Sequence, residues 1–474
     1  MNRPNILYLH THDAGRYVQP YGYPVSTPNI QRLAEQGVTF RQAHSTAPTC
    51  GPSRASLVTG QCPHTCGMVG LPNMGFALTD PHQHIVHTLR EAGYRSQLIG
   101  QQHVATDAET IGYDDVIQFP HPGRRKGSHR DRAEVVAPAA VAWLSDAPKE
   151  PFFLSVGMDD THRIWPTPLP EDDPRWVRPP APIPDNAVTR RDFAGYRTSA
   201  RTLDRGFGRV LDALDAAGLA DNTLVICTTD HGLGFPRMKS SLYDGGTGVM
   251  LIIRGPGGFD GGRVCDALVS QIDLFPTICE WLRIAPPPWL EGRSLMPVIR
   301  GELSEVNDHL FTEINYHGGY EPTRAVRTQR YKYIRHFDTP AFPARTSNQR
   351  RGPTLDYWLD MGWRERRFPD EELYDLVFDP NEADNLAGRP EAAQVRDSMR
   401  GRLERWMRYT DDPLLTGPVP VPPDAAIYDL DSRCIAGTPS LPDSIRHGAE
   451  APSPDLEVAQ DRDEDWDVLA GRKD

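Results

Sequence analysis

The sequence predicts an α/β fold: a large, mostly parallel sheet flanked by helices, followed by a smaller C-terminal α+β domain carrying an antiparallel sheet. Three observations carry this. Short apolar or β-branched runs alternate with helical segments through the first part of the chain. The pattern changes near Ala325, where alternating residues rich in Tyr and Arg set in. Polar residues of catalytic type stand just after the strands, where open α/β sheets bind their ligands. The expected division is 1–322, 323–430 and a polar, acidic tail at 431–474.

The elements follow in order. Asn5 to Leu9 is an apolar core strand. Thr27-Pro28 opens a helix with Ile30, Leu33 and Ala34 on one face, stopped by Gly37. Ile85 to Ala92 repeats this before Gly93, and Ser96 to Ile99 and Phe152 to Val156 read as strands. A long helix carries Phe193, Ala200, Leu203, Phe207, Val210, Leu211 and Leu214 at helical spacing and ends at Gly218. Thr223 to Thr228 and Val249 to Ile253 are further strands. Ala325 to Arg335 reads as antiparallel strands, and Glu391 to Tyr409 as a helix packed on them. Pro166 to Pro184 and Pro413 to Pro423 are proline-rich and extended; the tail ends in an acidic cluster, Asp461 to Asp467.

Composition narrows the function. The net charge of −13, from 64 acidic and 51 basic residues, disfavours nucleic acid and anionic membranes as partners. No apolar run reaches the ~18 residues of a membrane span. The first ten residues lack the apolar region and cleavage site of a signal peptide, and the seven scattered cysteines suit a reducing compartment, so the expectation is a cytoplasmic protein.

Two residue pairs stand at equivalent strand ends: His12-Asp13 after the first strand and Asp230-His231 after Thr223 to Thr229. Acidic and imidazole groups so placed make a divalent metal site. Between them in sequence lies Cys50-Gly51-Pro52-Ser53-Arg54, continuing to Thr59-Gly60. Pro52 suits the first turn of a helix over Ser53 to Val58, and Gly60 its end. Residue 50 then sits at a helix N-terminus, which favours an anion.

This run resembles the C-x-P-S-R-x4-T-G signature of the type I sulfatases, within the alkaline-phosphatase-like superfamily. The resemblance extends to Asn5 through Asp13, Gly100-Gln101-Gln102-His103, Asp160-Thr161-His162-Arg163, Thr229-Asp230-His231-Gly232 and Lys239-x-x-Leu242-Tyr243-Asp244-Gly245-Gly246. Within the family the likeness is to the heparan N-sulfatase (sulfamidase) branch, through Cys50 to Gly70, Thr161-His162-Arg163, Glu372-Leu373-Tyr374-Asp375 and Thr410-Asp411-Asp412-Pro413.

The resemblance implies that a formylglycine-generating enzyme converts Cys50 to Cα-formylglycine, whose hydrate is the nucleophile. It implies that His12, Asp13, Asp230 and His231 hold a metal together with residue 50, and that Arg54 steadies residue 50. It implies that Lys239 binds sulfate, that His162 or Lys239 protonates the leaving group, and that His103 takes a proton from residue 50. Gln101 and Arg163 would contact the substrate. Two positions depart from the pattern: His12 stands where the family has aspartate, and Gln101 where it has lysine. Calcium is the metal by resemblance, whereas His12 and His231 leave Mn, Mg or Zn open.

The implied function is hydrolysis of a sulfate ester or sulfamate on a small sulfated sugar or aryl substrate, most like that of an N-sulfoglucosamine sulfohydrolase. The alternatives are a phosphodiester or phosphonate monoester hydrolase on the same fold and an inactive sulfated-glycan binder. A homo-oligomer is compatible with this reading.

Overall fold

Eight strands form the main sheet of the computed structural model: β1 (Asn5–Thr11), β2 (Val38–His44), β3 (Arg95–Gly100), β4 (Asp115–Ile117), β5 (Phe152–Gly157), β6 (Thr223–Thr229), β7 (Leu251–Arg254) and β8 (Arg263–Ser270). Their order is β4-β3-β5-β1-β6-β7-β2-β8. All run in one direction except β7, which is antiparallel to both neighbours. The structure describes residues 3–119, 132–146, 148–337, 342–343, 346–349 and 351–427. The expected acidic tail at 431–474 lies outside them.

β1 is the centre of the sheet, with Leu7 facing Leu154 of β5 and Val225 of β6. Every residue of β1 is buried, which is why it reads as a nearly continuous apolar run. Its alternation sends Ile6 and Tyr8 into one core and Leu7 and Leu9 into the other. The second core is closed by the helices Ala133–Ser145 and Ala187–Ala216. Asn186 starts the longer helix with a capping box to Thr189.

On the first face lies the Cys50–Thr59 helix, buried along its whole length. It begins at Cys50 rather than Ser53, because Thr49 is still extended and the Ser53 N–H already bonds the Thr49 carbonyl at 3.0 Å. Gly60 ends it at φ 71°, a conformation a side chain resists.

The second sheet is four-stranded and antiparallel: β9 (His309–Tyr316), β10 (Tyr320–Thr328), β11 (Tyr331–His336) and the Glu371–Asp375 strand. It reaches upstream of position 323, because β9 carries its own alternating buried residues, Leu310 and Ile314 among them. The Ala393–Tyr409 helix covers it, with Trp406 stacked on Phe311 at 4.8 Å. Arg324, fully buried, forks onto Asp412 at 2.6 and 3.0 Å and ties the closing segment to β10.

Candidate active site

One edge of the main sheet gathers the polar residues. β1 delivers His12 and Asp13, β6 delivers Asp230 and His231, and β5 leads into Asp159 through His162. β3 leads into Gln101 and His103, and the turn after β2 leads to Cys50. Because β7 is reversed, its beginning lies at this same edge, and so does the Lys239 segment that precedes it.

Asp230 organises the centre. Its Oδ1 accepts the backbone N–H of Asp13 at 2.8 Å and of His231 at 2.9 Å. Its Oδ2 lies 3.2 Å from Arg54 Nη2 and 3.1 Å from His12 Nδ1. Cys50 Sγ stands 3.3 Å from His231 Nε2 and accepts from Lys239 Nζ at 3.2 Å. The same ammonium donates to both oxygens of Asp13, at 2.9 and 3.0 Å. Ligand atoms of His12, Asp13, Cys50 and Asp230 all lie within 4.8 Å of one another. His103 groups in the same way with His12 and Cys50.

Behind this cluster Arg54 is held on three sides. Nη1 donates to His10 Nδ1 at 2.7 Å, and Nη2 donates to the Thr11 carbonyl at 2.6 Å as well as to Asp230. Ser53 Oγ donates to the Asp230 carbonyl at 2.6 Å, so two adjacent residues of the Cys-x-Pro-Ser-Arg run clamp the same strand end.

The electrostatics follow from burial and pairing. Burial opposes ionisation of Cys50, but Lys239 and His231, with hydrogen bonds from His103 and His12, hold the thiol well below its ordinary range. Burial also opposes charge on Asp230, yet His231, Arg54 and His12 keep its carboxyl well below the usual value. Burial and Arg54 push His12 down, while Asp230 outweighs them and brings it to about 9. Residue 50 therefore sits in a positive pocket, although the protein as a whole is acidic.

The outer residues divide into two groups. The His162 ring stands edge-on to His12 at 5.6 Å, and the His103 ring lies 5.8 Å from His12, with Nε2 3.4 Å from Asn73 Oδ1. Both face the centre. Gln101 is half-buried at the end of β3, its N–H on the Gly157 carbonyl at 3.0 Å. Arg163 is engaged elsewhere: its fork meets Asp192 at 2.7 and 2.8 Å, Nε donates to the Gly234 carbonyl at 2.7 Å, and the guanidinium lies 3.7 Å over the Trp165 ring. It braces the loop rather than presenting a free cation to substrate.

Asp13, His103, Thr161 and Ser240 all have positive φ, at 49°, 54°, 76° and 57°. Such backbone is costly away from glycine and clusters where a surrounding fold holds functional groups in place. Gly232 is required for a different reason: a Cβ there would fall 1.8 Å from the Gly245 carbonyl oxygen, where the β6–β7 connection folds back on itself.

Sequence reasoning left out Asp159, His10 and Asn73. Asp159 carried a usable signal, since Asp159-Asp160 follow β5 as His12-Asp13 follow β1. His10 lies inside a strand and Asn73 on a distant loop, and neither position signals a role.

The sulfatase family model matches residues 4–284, and a model described as N-sulphoglucosamine sulphohydrolase, C-terminal, matches residues 233–343. The chain belongs to the sulfatase family, and it hydrolyses sulfate esters or sulfamates by that membership. It is 29% identical to human N-sulphoglucosamine sulphohydrolase, over 87% of this chain and 92% of that protein. It is 26% identical to a delta 4,5-hexuronate-2-O-sulfatase of Bacteroides thetaiotaomicron, over 94% of this chain and 96% of that one. Among solved structures, one in complex with its substrate D-glucosamine-2-N,6-O-disulfate superposes with a TM-score of 0.68 at 19% identity, covering 86% of this chain and 98% of that one. The phosphonate monoester hydrolase of Silicibacter pomeroyi superposes at 0.64 with 20% identity, covering 87% and 97%. These two show a shared fold.

Proposed function

We propose that the protein is a formylglycine-dependent hydrolase of a sulfamate or sulfate ester on a small sulfated sugar, nearest in kind to the N-sulfoglucosamine sulfohydrolases. One observation carries this: Cys50, at the start of a buried helix, lies within hydrogen-bonding range of both Lys239 and His231, with two carboxylates and Arg54 around it. The similarity to the human relative supports an N-sulfated amino sugar.

Residue 50, as formylglycine hydrate, would supply an oxygen nucleophile. His12, Asp13, Asp230 and His231 are the residues that would hold a divalent cation; the buried His12 ring, with Nδ1 facing Asp230, fits such a ligand. The cation would lower the pKa of the residue 50 oxygen. Arg54 fixes Asp230 and offsets its charge. Lys239 would bind a sulfate oxygen and stabilise charge building on the departing group. His162 or Lys239 would protonate the amine or alcohol as the sulfur–nitrogen or sulfur–oxygen bond breaks. His103 is the base for the remaining proton at residue 50. Gln101 would donate a hydrogen bond to the sulfate from the place where a lysine is usual. The six described cysteines are all unpaired, which supports residence in a reducing, cytoplasmic compartment, and no helix among the described residues is long and apolar enough to cross a membrane.

A phosphodiester or phosphonate hydrolase is the second reading, favoured by the imidazoles of the donor set and the likeness of fold to the phosphonate enzyme. Turnover of glucosamine N-sulfate, an aryl sulfate and an aryl phosphodiester, measured side by side, separates the two. The proposal expects the peptide containing residue 50 to carry the mass of formylglycine after expression with a maturation system, and Cys50→Ala to fold but not turn over. Unmodified cysteine there, or an active Cys50→Ala protein, would overturn it.

A further inference from the structure

The residues at the proposed metal position do not make an oxygen cage. Among the described residues, two carboxylates, Asp13 and Asp230, belong to the cluster around Cys50. Each is already shared with a cation of the protein: Lys239 Nζ lies 2.9 Å from Asp13 Oδ1, and Arg54 Nη2 lies 3.2 Å from Asp230 Oδ2. Calcium takes about 6–8 oxygen ligands and depends on their negative charge. This site has few oxygens, and their charge is largely neutralised.

Imidazoles fill the remaining places. His231 Nδ1 donates to the Gly232 carbonyl at 3.0 Å, so Nε2 is the nitrogen that faces the cluster, 3.3 Å from Cys50 Sγ. Nε2 also lies 3.5 Å from Asp13 Oδ1 and 3.6 Å from Asp230 Oδ2. His12 is 2% exposed, and both of its ring nitrogens are turned toward carboxylates. Nε2 lies 3.4 Å from Asp159 Oδ1, and Nδ1 lies 3.1 Å from Asp230 Oδ2. His12 Nδ1 thus points at a carboxylate oxygen of the cluster, where either a proton or a metal ion must stand between the two. An outer carboxylate or carbonyl on the second nitrogen is the usual support of a metal-binding histidine. His231 has the carbonyl, and His12 has Asp159.

We propose, resting on the sulfatase reading above, that this centre selects a borderline transition dication of the manganese–zinc kind over calcium. His12 and His231 are its nitrogen ligands, and Asp159 orients His12 from outside. Imidazole suits zinc strongly and manganese more weakly, and it contributes little to calcium.

The test is calorimetric titration of chelator-treated protein with Mn, Zn, Mg and Ca, with Tm measured at matched concentrations. Cys50→Ser protein is used so that a free thiolate adds no soft ligand. The expected result is binding of Mn or Zn at least about tenfold tighter than Ca, with a correspondingly larger rise in Tm. His12→Asp is expected to shift the ratio toward Ca. Asp159→Asn, which keeps the shape of the residue, is expected to weaken Mn or Zn binding by about 10–100-fold. Calcium binding as tight as Mn and Zn would overturn the proposal, even if His12→Asp does not fold. So would a His12→Asp protein with an unchanged ratio, or full-affinity binding by Asp159→Asn. The sulfatase reading fails on separate ground: mature protein loaded with each ion in turn and turning over neither sulfamate nor sulfate ester.

Discussion

Arg54 Nη1 lies 2.7 Å from His10 Nδ1, and His10 Nε2 lies 3.2 Å from Ser155 Oγ, so the arginine beside residue 50 is braced from within the sheet. An arginine can only donate. Nδ1 must therefore accept, and the neutral ring carries its proton on Nε2 toward Ser155. The chain from Ser155 on β5 through His10 on β1 to Arg54 sets where the guanidinium meets Asp230.

His10→Leu leaves a buried guanidinium N–H without an acceptor, a loss of about 1.5–3 kcal/mol for a charged hydrogen bond. The expected effect is a fall in kcat of roughly 10–100-fold with little change in KM, since Arg54 is displaced but substrate contacts remain. His10→Asn, which restores an acceptor, should recover part of it. Steady-state kinetics of the three proteins decide; unchanged kcat in folded His10→Leu would refute the bracing role.

Arg163→Met leaves Asp192 buried and unpaired, and the expected loss is about 3–5 kcal/mol of stability. Urea denaturation measures it. KM should stay near the parent value in the folded protein, because Arg163 is bound to Asp192 and Gly234. A large rise in KM with unchanged stability would return this residue to a role in substrate contact.

Gly232→Ala forces apart the two ends of the β6–β7 connection that carries His231 and Lys239. A displacement of about 1 Å at a catalytic group is worth roughly 100-fold in rate, so activity should drop steeply while the fold persists. Comparing kcat/KM with the circular dichroism melt separates the two effects.

Burial, aided by the charge of His87, pushes the His84 imidazole down to about 3, and its Nδ1 accepts the Val86 N–H at 3.2 Å as a helix cap. The unfolded ring titrates near 6.5. The unfolded state therefore binds the extra proton first. The stabilisation from the neutral ring is complete above about pH 6.5 and is lost as pH falls toward 3, to a total of a few kcal/mol. His84→Asn keeps a capping oxygen but does not titrate, so its urea midpoint should fall less steeply between pH 6.5 and 4. An identical slope would exclude His84 as the source.

Legibility in the sequence followed local chemistry. β1, β5 and β6 were readable because they are buried on both faces, and the 187–216 helix because its apolar stripe is long and capped. The Ala133–Ser145 helix is hidden in the sequence: it is apolar nearly all round and contains Pro138, so it shows no amphipathic period. β8 is hidden too, because Arg263, Val264 and Asp266 leave its first half exposed before the buried Ala267 to Ser270. In the site, most groups that fall directly after strands are legible in the sequence, and Asp159 is the exception among them. His10 lies inside a strand and acts on Arg54 across the sheet, and such pairing appears only in three dimensions.

The reversed strand β7 lets a single connection carry several residues of the site. Parallel neighbours must be joined by a crossover that starts at one rim and ends at the other, but the connection from β6 to β7 leaves and re-enters at the same rim. Asp230, His231 and Lys239 thus travel on one self-closing tether. A single loop closure sets their mutual spacing, and lengthening such a loop costs little free energy. Changes of length in this connection would therefore move Asp230, His231 and Lys239 together without disturbing the order of the sheet.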